Sequence, residues 1–386
     1  MTKHLFSLIF VFGLISCNTK TESDDYFGQT TPDSIPVIFA PHIISVNDRF
    51  EHGISFAPDR QELTFGVLDK NDFSGLIYYS EKSNNMWTEP KVFEPLQNES
   101  AFLPYFTPDG KSLIYTQSRP DTANGLTDIW IINKKGDSWI NARKMNSPLS
   151  SLSRESTACM TYDRKIYFSS NRNGNGLADL YYSSLKNGEY LKINNLSPIN
   201  TVRGEESIFT SPNDTYTIFS RYATNQNGPD LYISYRDFKG NWIQPTLLGA
   251  AINSSDWERR PFVSIDNRYL FFTRSTFEEK GMIESDIYWV NTKRVFKPFI
   301  YNPLSDTTVK VGEKIEILIP EDYFQDIDDK ISFEVNANEI DWLEFDNGRN
   351  VLSGTPTKMG EFKLQFTAVD KNLNTTLDMV VLTVLN

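Results

Sequence analysis

The sequence predicts an all-β chain: a five-bladed β-propeller, with a six-bladed ring as the alternative, followed by a β-sandwich. Three observations carry this. A unit recurs five times between residues 51 and 292, its opening glutamates 48, 56, 51 and 52 residues apart. Each unit holds short strands punctuated by Asp or Asn turns. Beyond Tyr301 the chain changes to alternating strands with a strongly acidic balance. A period of roughly 40–50 residues with several strands per unit is how a propeller is written in sequence.

The copies are Glu51–Ser80, Glu99–Ile132, Glu155–Leu185, Glu206–Ser234 and Glu258–Val290. Each opens on a glutamate (Glu51, Glu99, Glu155, Glu206, Glu258) and then turns at Pro58-Asp59, Pro108-Asp109-Gly110, Tyr162-Asp163, Pro212-Asn213-Asp214 or Ile265-Asp266-Asn267. An aromatic strand follows, such as Ile166-Tyr167-Phe168 or Leu270-Phe271-Phe272. Four copies then enter a short strand through aspartate: Asp128-Ile129-Trp130, Asp179-Leu180-Tyr181, Asp230-Leu231-Tyr232 and Asp286-Ile287-Tyr288. The first copy departs from this with Gly75-Leu76-Ile77-Tyr78.

The Pro-Asp turn, Phe168-Ser169-Ser170-Asn171-Arg172 and Asp179-Leu180-Tyr181 resemble the TolB-type propeller repeat over residues 50–292. That resemblance implies a fold more than an activity, because the repeat family includes partner-binding periplasmic proteins, peptidase gating domains and polysaccharide lyases.

Before the propeller, Met1–Cys17 reads as a lipoprotein signal peptide. Lys3 and His4 precede the apolar run Leu5–Ile15, too short for a spanning helix, and Leu14-Ile15-Ser16-Cys17 resembles a bacterial lipobox. This implies a lipid on Cys17, an outer-membrane lipoprotein of a Gram-negative bacterium, and a membrane partner through that anchor. Residues 18–35 are expected to be a flexible tether. Its Glu22, Asp24 and Asp25 resemble acidic signals that send lipoproteins to the cell surface; the alternative is the periplasmic face. Cys159, left without an internal disulfide partner, is expected as a buried small residue. Pro36–Ala40 is expected to close the ring by completing the fifth blade, with Val295–Ile300 as the rival.

Residues 301–386 hold 16 acidic side chains against 7 basic ones, most of the chain's net charge of -12. Lys314–Ile319, Glu361–Val369 and Thr376–Leu385 read as half-buried strands of a sandwich. Asp341-Trp342-Leu343, Leu352-Ser353-Gly354-Thr355-Pro356 and Phe366-Thr367-Ala368-Val369-Asp370 resemble the dystroglycan-type cadherin-like domain, an immunoglobulin-like sandwich. The resemblance points to Asp326, Asp328, Asp329 and Asp370 as calcium ligands, with a solvated acidic loop as the alternative. No other cofactor is indicated.

Binding is better supported than catalysis. Repeated glutamates read as structural hydrogen bonders, since a catalytic carboxylate pair must be unequal. The acidic balance points away from nucleic acid. Residues that differ between copies near the axial funnel are the ligand-binding candidates: His52, Arg154, Arg203, Trp257, Arg259 and Arg260. Arginine there can hold a carboxylate and tryptophan can stack a sugar ring. The expected role is an envelope-anchored module that binds a protein or a glycan. The competing expectations are a carbohydrate-active enzyme, hydrolase or lyase, and a TolB-like partner in a trans-envelope complex.

Overall fold

A computed structural model describes residues 25–386 apart from 73, 121–125, 175–176, 223–227 and 338. The signal segment and Cys17 lie outside the described residues.

The strands pair into antiparallel four-stranded meanders. The innermost strands are Phe50–Phe56, Ala101–Phe106, Glu155–Met160, Glu205–Thr210 and Trp257–Val263. Each pairs with the strand after it, Glu62–Leu68, Ser112–Ser118, Ile166–Ser170, Tyr216–Tyr222 or Tyr269–Glu278, and the meander continues outward. Innermost strands touch one another in cyclic order, so they ring an axis. Neighbouring blades cover both faces of these strands, which is why Phe50–Phe56 and Ala101–Phe106 are buried at every residue. Outermost strands are two residues long in most units and largely exposed, a short edge that resists pairing with other chains.

Ring closure comes from the N-terminal side. Val37–Ile38 pairs antiparallel with Gly281–Asn291, Val37 opposite Trp289 and Ile38 opposite Tyr288. It is the outer strand of the fifth meander. The rival segment turns away, and its Phe299–Ile300 pairs with Phe324–Gln325 instead.

The expected tether is corrected from Asp25 onward. Tyr26 is buried against Phe39, Phe56, Tyr269, Phe271 and Trp289. Phe27 stacks on Trp87 at 5.1 Å, and Asp25 pairs with Lys82. One buried and one half-buried aromatic side chain packed on the propeller outweigh the polar composition that suggested a free linker.

The C-terminal unit is a sandwich. Thr307–Lys310, Thr375–Leu385, Gly360–Val369 and Ser332–Asn336 form one sheet; Ile315–Leu318, Val351–Gly354 and Leu343–Asp346 form the other. Leu364, Phe366, Ala368, Leu382 and Val384 alternate into its core. Gly354 permits a close approach, because a Cβ there would lie 2.0 Å from the Trp342 carbonyl oxygen. Phe299 stacks on Tyr235 of the propeller at 4.2 Å, and Asn374 Nδ2 donates to Lys293 O at 2.9 Å. The sandwich is thus docked on the ring.

Candidate functional site

The repeated glutamates are spent on structure. Glu155, Glu205 and Glu258 are fully buried at equivalent places. Each accepts the backbone N–H of the residue four before it: Ser151 at 3.0 Å, Thr201 at 3.1 Å and Ser254 at 3.2 Å. Each also accepts from an arginine, Arg172 at 3.2 Å, Arg221 at 2.8 Å and Arg274 at 2.8 Å. Those arginines donate in turn to Leu149 O, Ile199 O and Ile252 O. Carboxylate, arginine and loop carbonyl thus latch each blade to the segment entering it. Glu51 takes this place in the first blade with Val46 N–H and Arg49. Burial pushes its carboxyl up to about 8, outweighing Arg49.

Two of the five opening glutamates lie out of register with the latch, Glu99 by two residues and Glu206 by one. In the second blade the latch position is Ala101, and exposed Glu99 accepts from Gln117 Nε2 at 2.7 Å from outside the strand. In the fourth it is Glu205, which frees Glu206 for another role.

A bulge decides that role. Every innermost strand shifts register around a residue of positive φ: Gly53 at 76°, Leu103 at 54°, Thr157 at 47°, Ser207 at 58° and Arg260 at 56°. Left-handed backbone at a β-branched threonine is strained, and bulges re-aim side chains beside sites. The residues just before the bulge are His52, Phe102, Ser156, Glu206 and Arg259, no two alike. Chemistry that varies between blades is therefore carried on a backbone that does not.

Three of these positions, His52, Phe102 and Arg259, meet in a cavity of about 740 Å³ that Arg154, Trp257 and Arg260 also line. Arg260 is buried and reaches across the axis. Its Nε donates to His52 Nε2 at 3.0 Å, and its Nη1 donates to Thr157 Oγ1 at 2.8 Å and Ser207 Oγ at 2.6 Å. Residues from four blades thus meet at one guanidinium. The Nε bond leaves the histidine proton on Nδ1, which has no partner. Burial, then Arg260, Arg259 and Arg154, holds the imidazole well below its ordinary range, so His52 is neutral. Burial alone raises the Glu206 carboxyl, but the same three arginines outweigh it and keep Glu206 ionised. Burial lowers the Arg260 guanidinium to about 10.

Two arginines keep donors in reserve. Arg259 lies over Trp257 at 5.0 Å; its Nη1 is 3.9 Å from Glu206, beyond hydrogen-bond reach, and its Nε is buried without a partner. The Arg154 side chain makes no hydrogen bond or ion pair among the described residues, yet its charge acts on His52 and Glu206. Arg119, on the same wall, is spent on Asp128 and loop carbonyls.

Five of the six candidates therefore line one cavity, and Arg203 does not. The open stacking role expected of Trp257 is corrected. Phe277 covers it at 4.0 Å, and Gly228 packs so close that a Cβ would lie 2.1 Å from its indole. Trp257 positions Arg259 instead. Glu206 was missed; the adjacent pair Glu205-Glu206, unique among the copies, was the available signal.

The four expected calcium ligands are divided among other partners. Among the described residues no three His, Cys, Asp or Glu side chains are placed to hold a metal ion. Asp370 is taken by Asn374, and Asp329 pairs with Lys371 at 3.0 Å. Asp326 and Asp328 sit together, and burial pushes the Asp326 carboxyl up to about 7. Cys159 is buried and accepts from Thr210 N–H at 3.2 Å.

A sequence-family model described as "Putative Ig domain" matches residues 297–385. No curated protein matches the chain. Among solved structures, one described as a glycoside hydrolase is 10% identical, with 71% of this chain and 96% of that chain covered and a TM-score of 0.45. An oligogalacturonate lyase from Vibrio parahaemolyticus is 13% identical over 64% and 67%, with a TM-score of 0.35. A protein of unknown function from Dyadobacter fermentans is 9% identical over 90% and 97%, with a TM-score of 0.41. The chain spans well under half the length of two other structures that it matches. Likenesses of this size carry no argument about activity. The strand pairing and the family match together make the chain an all-β propeller followed by an immunoglobulin-like domain.

Proposed function

We propose that the chain is an envelope binding module, anchored through Cys17, whose axial funnel receives a carboxylate-bearing ligand. The observation that carries this reading is the pair Arg154 and Arg259, which line one concave cavity, with Arg259 Nη1 3.9 Å from Glu206 and beyond hydrogen-bond reach of it. The other arginines described at the blade latches are committed to glutamate and carbonyl. Charge-assisted forks of this kind suit a carboxylate, and a cavity of several hundred Å³ suits a small ligand.

A thermal-shift screen of carboxylates and matched neutral compounds tests it. A native-state ligand at about a hundredfold excess over its dissociation constant adds about 2.7 kcal/mol. Carboxylates should raise the transition of the wild type and fail to raise that of Arg154→Ala/Arg259→Ala. An equal response from both proteins would remove the funnel as the site.

Glu206 favours a second reading, a carbohydrate-active enzyme, because it is an unrepeated carboxylate under the same three arginines that act on neutral His52. An acid or base works best with its pKa near the working pH, and Glu206 is held below its ordinary range. Turnover of an acidic polysaccharide by the wild type, lost in Glu206→Gln, would establish that reading over binding alone.

A further inference from the structure

We infer that the ligand is an acidic sugar residue, a hexuronate, taken end-on into a blind funnel. This rests on the carboxylate reading above and adds both the ligand class and its pose.

The pose follows from the axis. Arg260, bonded to His52, Thr157 and Ser207, closes the ring at the floor of the cavity. Below it the axis narrows to a space of about 30 Å³ beside Gly53, Leu103 and Phe209, room for a water and not for a chain. Further down, Tyr26 and Phe56 line another space of about 30 Å³. A linear ligand therefore cannot thread the propeller. It can present only an end.

The ligand class follows from the walls, which differ in kind. One carries Arg154 and Arg259. A second is apolar, where Phe102, Phe277 and Met282 pack together. The third carries Asp72 and the serines Ser74, Ser100 and Ser118, the last two sharing a hydrogen bond at 3.1 Å that leaves further hydroxyl capacity. A hexuronate has the complementary faces: a carboxylate, a C–H face that packs on aromatic rings, and a rim of hydroxyls that donate and accept. Simple carboxylates match only the first wall and neutral hexoses only the other two. A buried site built to pair a ligand group rejects an analogue that lacks it.

Isothermal titration on the full chain tests this with galacturonate, its methyl ester, galactose, succinate and trigalacturonate. Galacturonate is expected to bind, with the ester, galactose and succinate each weaker by at least about tenfold. Trigalacturonate should bind one per chain with affinity close to that of the monomer, since one residue enters. Arg154→Ala and Arg259→Lys should each weaken galacturonate about ten- to hundredfold at an unchanged melting temperature. The ester comparison uses the wild type throughout, so it stands whatever the variants do.

Succinate binding as tightly as galacturonate would overturn the sugar inference and leave the carboxylate reading in place. Binding of trigalacturonate without the monomer would overturn the end-on pose. Binding of no carboxylate would overturn both readings.

Discussion

Replacing Glu258 with alanine should destabilise the propeller far more than the same change at Glu99, although the two residues look alike in sequence. Glu258 is fully buried and accepts Ser254 N–H at 3.2 Å, Ser254 Oγ at 2.6 Å and Arg274 Nε at 2.8 Å. Breaking a buried pair by removing one partner costs about 3–5 kcal/mol. Arg274 keeps its bond to Ile252 O at 2.8 Å, and its side chain retains 17% exposure. The loss should therefore lie near the low end, about 3 kcal/mol. With roughly 2–4 °C per kcal/mol, that is a fall of about 6–12 °C in the propeller transition. Glu99 is exposed and its side chain makes one hydrogen bond among the described residues, from Gln117, so Glu99→Ala should cost less than about 1 kcal/mol. Thermal melts followed by circular dichroism read both variants. Equal costs at the two positions, or a Glu258→Ala cost below about 1 kcal/mol, would refute the latch and the register that defines it.

Glu51, raised to about 8 by burial, holds a proton in the folded protein over a range where the unfolded chain has lost it. Its contribution is therefore fully present below its unfolded value and is lost as pH rises towards 8. Asp286, raised to about 6 by burial and then by Glu284, acts in the same direction. Melts of wild type and Glu51→Gln should run close at pH 5 and diverge by pH 8, the wild type lower by of order 2 kcal/mol; a wild type that gains on the variant as pH rises would contradict the assignment. Phe39 packs on Phe271 at 5.1 Å and Trp289 at 5.3 Å beside the ring-closing strand, so Phe39→Ala should cost about 3–5 kcal/mol in chemical denaturation. Gly228 has φ 68° and a Cβ there would strike Trp257. Gly228→Ala should displace the indole that seats Arg259 and weaken carboxylate binding about tenfold or more, measurable by titration.

Much of the architecture was legible because the forces behind it are periodic. The aspartate turns, the aromatic middle strands and the ring-closing role of Pro36–Ala40 follow from patterning and from the need to cover a sheet edge. The first copy's departure also has a physical reason. Its equivalent of the strand-entry aspartate is Leu76, which lies opposite Val67, whereas Asp230 and Asp286 lie opposite Arg221 and Arg274. Asp128 and Asp179 face Gln117 and Ser170, so four copies set a polar or charged residue opposite the aspartate and the first sets an apolar pair there instead.

The site was legible by position and less so by chemistry. Unrepeated residues near the inner strands were singled out, and the structure brings five of the six to one cavity. Glu206 was hidden by its neighbour Glu205, since a single-residue slip exchanges the latch for the position just before the bulge. Trp257 looked like an open platform because sequence does not show that Phe277, twenty residues later, folds back over it. Asp326 through Asp370 looked like a metal site because composition does not record that Asn374 and Lys371 occupy two of its four carboxylates. Tyr26 was lost in a polar stretch whose composition suggested a linker.

A crystal structure of the chain with a bound carboxylate ligand tests the central claim most directly. The account predicts the carboxylate within hydrogen-bond distance of both Arg154 and Arg259, above Arg260, with Trp257 still covered by Phe277. A ligand found instead in the groove of about 640 Å³ beside Phe238, Leu247 and Pro298, with the arginine funnel empty, would contradict it.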